Sequence, residues 1–222
     1  MRAFLLLPLC GLLVACEFSG EAGKLDPIPR QMCGDMPDPL QSGSAGDGFD
    51  CLILDAVRQF MHPDAMLIKA QMAQESAFNS MAISPDSPCG VPMGWTDAEA
   101  KSFGLTQVTP ACNEAFPLVL PDGHPNLTTD MTSDLWPTSV FNAKANIEQG
   151  VRTCMAFLQD VKDAHPGCTD TQYALMSAGA FNSGARAVTG CGMYNTRASN
   201  YVNAVLTHYS TFSQRAGWPN PY

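Results

Sequence analysis

Residues 65–84, AMLIKAQMAQESAFNSMAIS, constrain this chain most, because they form an apolar helical run with a single glutamate, Glu75, inside it. Ile68, Met72 and Glu75 follow one another at steps of four and three, so a helix turns the carboxylate to the same face as apolar side chains. Ala70, Ala73 and Ala77 fill a second stripe, which makes the helix apolar nearly all round and predicts burial on most sides. A carboxyl in such surroundings is poorly solvated. Its charged form is disfavoured, and its pKa rises towards that of a general acid at neutral pH. The alternative is a helix-end glutamate that swings out to solvent.

The rest of the chain supplies the setting. At 222 residues it has room for a leader and one domain with a sizeable core. A net charge of −9 argues against a nucleic-acid partner, since phosphate backbones are bound mainly by Lys and Arg. Arg2 precedes an apolar run, 3–15, too short for a stable membrane span but suited to a signal-peptide core. The run ends in Leu13-Val14-Ala15-Cys16, which resembles a bacterial lipobox. Residues 1–15 are therefore expected to be a lipoprotein signal peptide, with Cys16 carrying the lipid and anchoring the protein to a membrane. Glu17, where an aspartate commonly signals inner-membrane retention, directs the expectation to the periplasmic face of the outer membrane. The competing reading is a secreted protein whose Cys16 joins a disulfide.

Nine cysteines fit an oxidising compartment. Setting aside Cys10 and Cys16 leaves Cys33, Cys51, Cys89, Cys112, Cys154, Cys168 and Cys191, enough for three bridges and one free thiol; keeping Cys16 would allow four bridges. The local loops Cys89 to Cys112 and Cys154 to Cys168 are the expected pairings. No CxxC pair occurs, and His62, His124, His165 and His208 are scattered, so neither metal nor cofactor is expected. Residues 16–48, rich in Pro, Gly, Ser and Asp, read as a tether. Beyond it, 49–61 is predicted helical up to His62-Pro63, and Asp64 is placed to cap the Glu75 helix. Further helices are predicted over 142–163 and 172–181, the latter capped by Thr169 or Asp170, and a last one carries Tyr201, Val205 and Tyr209. Residues 117–136 read as irregular.

After Glu75 the chain runs ESAFNSMAISP, then through an insertion-like stretch, 86–102, to Phe103-Gly104-Leu105-Thr106-Gln107-Val108. Ala180-Phe181-Asn182-Ser183-Gly184 and Asn200-Tyr201-Val202 follow, the latter read as opening the last helix. These segments, in this order, resemble the catalytic motifs of soluble lytic transglycosylases, relatives of goose-type lysozyme. The matched features are an E-S-x-x-N stretch with a serine nine residues on (Ser84), a G-L-M-Q-like turn (104–107), and an A-Y-N-A-G-like third motif. Asn146, Gly150 and Leu158 keep step with the family's intervening helix. Thr106 stands where methionine is usual, and Phe181 where tyrosine is usual.

The resemblance implies a mainly α-helical, lysozyme-like, disulfide-braced domain over 49–222, acting as a monomer on the glycan strands of peptidoglycan. It makes Glu75 the catalytic acid. Ser84, Gln107 and Asn182 are expected to hydrogen-bond sugar N-acetyl and hydroxyl groups, while Phe181, Tyr201 and Trp95 offer flat surfaces to pyranose rings. No second carboxylate stands at a matched position, which implies 1,6-anhydromuramyl products rather than hydrolysis. Asp97 or Glu99 reaching in from the insertion would instead give a goose-type muramidase, and loss of the chemistry would leave a glycan-binding lipoprotein.

Overall fold

Among the described residues five α-helices carry the fold: α1 (Asp50–Phe60), α2 (Ala65–Ser76), α3 (Ala143–Ala164), α4 (Asp170–Ser183) and α5 (Thr196–Ala216). The computed structural model describes residues 40–112 and 116–217. The signal peptide, Cys16, Cys33 and most of the tether lie outside them. Between α4 and α5 a two-stranded antiparallel ribbon, β1 (Val188–Gly190) with β2 (Met193–Tyr194), adds the only named strands among the described residues. The protein is thus mainly helical, and among the described residues no helix is long and apolar enough to cross a membrane.

α2 is the centre of the molecule. Asp64 caps it, accepting a hydrogen bond from the Leu67 N–H at 2.9 Å. Every residue from Ala65 to Ala73 is buried, so the helix has no solvent face over its first two and a half turns. It packs most extensively on α5, while α3 packs on α4 and α1. Leu67, Ile68 and Met72 meet Ile53, Leu105, Ile147, Val151, Val205 and Tyr209 in one core. Each such aliphatic side chain contributes roughly 1.5–3 kcal/mol by leaving water. A second core, built on Phe103, Val108, Phe116, Leu118, Val140 and Phe141, supports the irregular half of the molecule.

Lys69 is the exception in α2, a fully buried cation. Its Nζ meets the Leu40 carbonyl at 2.7 Å, Asp47 Oδ1 at 2.6 Å and Asp50 Oδ1 at 2.8 Å. Leu40 is itself fully buried, and residues Ala45–Phe49 form a 3₁₀ turn. The last residues of the stretch read as a tether, 40–48, are therefore part of the fold. The correction has a physical cause: a buried ammonium needs partners, and this segment provides them.

The helix boundaries differ modestly from expectation. α4 starts at Asp170 behind a capping box made by Thr169 and Gln172. α5 starts at Thr196, capped by Asn195, a full turn before Asn200, so the motif around Tyr201 lies inside the helix rather than opening it. Cys89 pairs with Cys112 as expected. Cys168, however, pairs with Cys191, pinning the start of α4 to the ribbon turn, and Cys154 is a buried free thiol. The expected Cys154–Cys168 pairing fails because Cys154 faces the core from the middle of α3, whereas Cys168 lies beyond that helix's end. Cys51 is also disulfide-bonded.

Candidate functional site

Glu75 sits in the last turn of α2, and the chain leaves it through two successive left-handed residues, Ala77 (φ 49°) and Phe78 (φ 64°). Such a turn halts the helix sharply and frees the face beyond Glu75. The neighbouring Ser76 hydroxyl donates to the Leu105 carbonyl at 2.8 Å, fastening the 103–108 turn beside the helix end. That turn closes on itself through reciprocal Phe103–Val108 backbone hydrogen bonds.

Asn146, buried on α3, holds the turn from the other side. Its Nδ2 donates to the Phe103 and Val140 carbonyls, both at 2.8 Å, while its Oδ1 accepts from the Thr106 N–H at 2.9 Å. Two glycines make this approach possible. Gly104, at φ +74°, has the Asn146 amide where a Cβ would stand, and a Cβ on Gly150 would meet the Thr106 side chain. The matched glycines and Asn146 thus have packing reasons for their identity.

Glu75 is half-buried at the mouth of a narrow crevice lined by Ile68, Gln71, Thr106, Gly150, Cys154 and Phe181. Among the described residues that line it, Glu75 is the only carboxylate. The Tyr201 hydroxyl, from α5, lies 2.6 Å from Glu75 Oε1. Burial pushes the Glu75 carboxyl up to about 7, against the opposing pull of the Tyr201 hydrogen bond. Burial likewise, aided by the charge of Glu75, raises Tyr201 well above the usual phenol range. An acid poised near neutrality, with one oxygen held by a phenol, can give and retake a proton.

The sequence-selected residues divide into two sets. Glu75, Phe181 and Tyr201 come together at the crevice. Tyr201 does so in a different role from the one expected: it is 7% exposed and spends its hydroxyl on Glu75, so it holds the acid rather than offering a face to a sugar. Ser84 and Gln107 are occupied by the loop. Ser84 Oγ donates to the Asp86 carbonyl at 2.8 Å and accepts from the Ser102 N–H at 3.0 Å. Gln107, at φ 51°, donates to the Gly104 carbonyl at 2.9 Å. Asn182 lies in the last turn of α4, where its Oδ1 accepts from the Ser183 hydroxyl.

The insertion forms a separate region. Trp95 stacks on His124, Glu99 Oε1 lies 2.8 Å from His124 Nδ1, and Asp97 accepts from the Ser87 hydroxyl. Glu99 and His124 line an open groove of about 460 Å³ with Leu120, Asp122, Asn126 and Leu135. None of the motif residues belongs to that groove. Among the described residues, no three His, Cys, Asp or Glu side chains cluster as a metal site would need.

No protein-family model matches the chain, and no curated protein is detectably similar to it. Sequence reasoning missed Gln71 and Cys154 as neighbours of the acid. Gln71 carried a usable signal, since a polar residue one turn before Glu75 interrupts the same apolar face.

Proposed function

We propose that this protein is a lytic transglycosylase with a lysozyme-like fold, exported as a lipoprotein on Cys16 to the outer membrane, where it cleaves peptidoglycan strands. The observation that carries the reading is a single carboxyl, raised to about 7 and held by Tyr201, with no second carboxylate among the described residues lining its crevice. The crevice is too narrow for a sugar ring, so the glycan lies across its mouth, and Phe181 forms part of the wall beneath the reacting bond.

The chemistry follows from one acid acting twice. Neutral Glu75 protonates the glycosidic oxygen as the bond to the muramyl anomeric carbon breaks, and the neighbouring N-acetyl oxygen attacks that carbon. The resulting carboxylate then takes the proton of the muramyl 6-hydroxyl, whose oxygen closes onto the anomeric carbon and releases the N-acetyl group. The product is a 1,6-anhydro sugar, and Glu75 is neutral again. Positioning of the 6-hydroxyl within reach of the carbon is what favours it over water.

Digestion of purified peptidoglycan followed by mass spectrometry tests this. Products lighter by one water than hydrolytic muropeptides are expected. Reducing-end muramyl products throughout would turn the reading into a goose-type muramidase, and no cleavage at all would leave a glycan-binding lipoprotein.

A further inference from the structure

The groove beside the insertion is used by none of this chemistry. Its walls are braced from within. Buried Asn126 donates to the Leu135 carbonyl at 2.7 Å and accepts from the Thr128 N–H at 3.2 Å, which ties two lining residues together. The Leu120 N–H donates to the His124 carbonyl at 2.8 Å and closes the turn that forms another side. Leu120, Pro125, Leu127 and Leu135 give this open space of about 460 Å³ a largely apolar lining, and Leu135 keeps 45% of its surface exposed. Apolar surface that a braced loop keeps open to water does not stabilise the fold.

The charge around the groove has one sign. Glu99 and Asp122 line it, and the one base among the described lining residues, His124, is already paired with Glu99 at 2.8 Å. Asp122 is exposed; its Oδ1 accepts from the His124 N–H at 3.1 Å, and its other oxygen has no protein partner among the described residues. Residues 102–143 contain no Lys or Arg, and Asp130 and Asp134, both exposed, lie in sequence between the lining residues Thr128 and Leu135.

We propose that this groove is a docking site for a basic segment of a partner protein, one in which lysine or arginine is interspersed with apolar residues. Charge selects the occupant. Aliphatic side chains of the segment cover Leu120, Leu127 and Leu135, and the stems of its basic side chains lie along the same surface while their heads stay at the wet rim with Asp122 and Glu99. Opposite potentials steer the encounter and set its register. The peptide stems of peptidoglycan suit the groove poorly, because they bring carboxylates of their own to Glu99 and Asp122. The groove is small for a protein interface, so the contact is weak and reversible.

This docking stands apart from glycan cleavage, and its test needs no turnover. Acetyl-Leu-Lys-Leu-Lys-Leu-amide is titrated into the intact nitrogen-15-labelled protein, and amide shifts are followed by NMR. Saturable shifts grouped on Glu99, residues 120–128 and Leu135 are expected, with affinity falling about threefold between about 50 and about 200 mM salt. The counterpart peptide with glutamate in place of both lysines should produce none. Asp122→Asn keeps the oxygen that accepts from His124 and removes only the charge, so it should fold normally and weaken binding about threefold. Leu135→Ser, at an exposed position, should weaken it by a similar factor with little change in Tm. Glu75→Gln should bind as the wild type does. Absence of saturable shifts, binding unchanged in either Asp122→Asn or Leu135→Ser, shifts spread over the other acidic surfaces, or a peptidoglycan stem tetrapeptide that binds more tightly than the basic probe overturns the proposal.

Discussion

Glu75 and Glu99 are both glutamates in hydrogen-bonded settings, and the two halves of the molecule treat them oppositely. Glu75 ends a helix that is buried all round over its first two and a half turns, accepts from one phenol, and is raised to about 7 by burial. Glu99 sits in a loop, accepts from the Thr96 N–H and hydroxyl at 2.7 Å each, and is held below the usual range by those bonds, with His124 adding to them. A carboxylate with several donors stays charged; one in apolar walls with a single donor keeps its proton. The difference lies in what surrounds the residue. It separates an acid suited to catalysis from one suited to bracing a loop.

The sharpest way to break this comparison is Glu75→Gln, which keeps the volume and cannot donate an acidic proton. Loss of peptidoglycan cleavage by roughly 10²- to 10⁴-fold is expected, with an unchanged circular dichroism spectrum. Stability should respond in the opposite sense. The folded pKa of about 7 lies above the ordinary 4.5, so the contribution of Glu75 is fully present below pH 4.5 and is lost as pH rises through 7. Above pH 7 the Gln variant should therefore be the more stable protein, by at most about 3 kcal/mol, less whatever solvent reaches the half-buried carboxyl. Denaturant melts at pH 5 and pH 8 measure this, and equal differences at the two pH values would mean the carboxyl is not raised. For the same reason wild-type cleavage should decline above pH 7.

A smaller effect distinguishes how the two regions are held. The Glu75 region is held by the aliphatic and aromatic core around α2, whereas the insertion leans on the Cys89–Cys112 bridge across 23 residues. Replacing both cysteines by serine should cost about 2–4 kcal/mol in thermal or denaturant unfolding. The Glu75 titration should hardly move, because its walls come from α2, α3, α4, α5 and the Asn146-fastened turn. A shift of that titration would show that the loop shapes the site.

The same contrast explains what could be read before the fold was known. Local chemistry was legible: Asp64 and Thr169 cap helices as their side chains suggest, and the Ile68–Met72–Glu75 spacing turned the acid inward. Contacts between distant segments were not. Nothing near Tyr201 announces a partner 126 positions away, and its aromatic ring suggested sugar stacking instead. The cysteine count allowed many pairings, so a short separation favoured Cys154 with Cys168, although α3 carries Cys154 into the core. Ser84 was chosen by its position in a motif, while its hydroxyl is committed to the backbone at Asp86 and Ser102.

The smallest expected effect concerns Glu99, and it bears most directly on the reaction. A hydrolase with two carboxylates would need a partner for Glu75, and the insertion holds the candidates Asp97 and Glu99. Asp97 is exposed beside Ser87 and Lys101, and Glu99 is engaged by Thr96 and His124 in a groove that includes no motif residue. A base must reach a water poised at the anomeric carbon, and Glu99 already spends Oε2 on Thr96 and Oε1 on His124. Glu99→Gln should accordingly leave cleavage within about twofold. It should cost under about 1 kcal/mol of stability, as expected for a part-exposed pair with His124. Assay of this variant beside Asp97→Asn on the same strands makes the distinction clean. A 10²-fold loss in either, together with a change in the ratio of anhydro to reducing-end products, would place a second carboxylate at the bond and make the insertion part of the machinery rather than its rim.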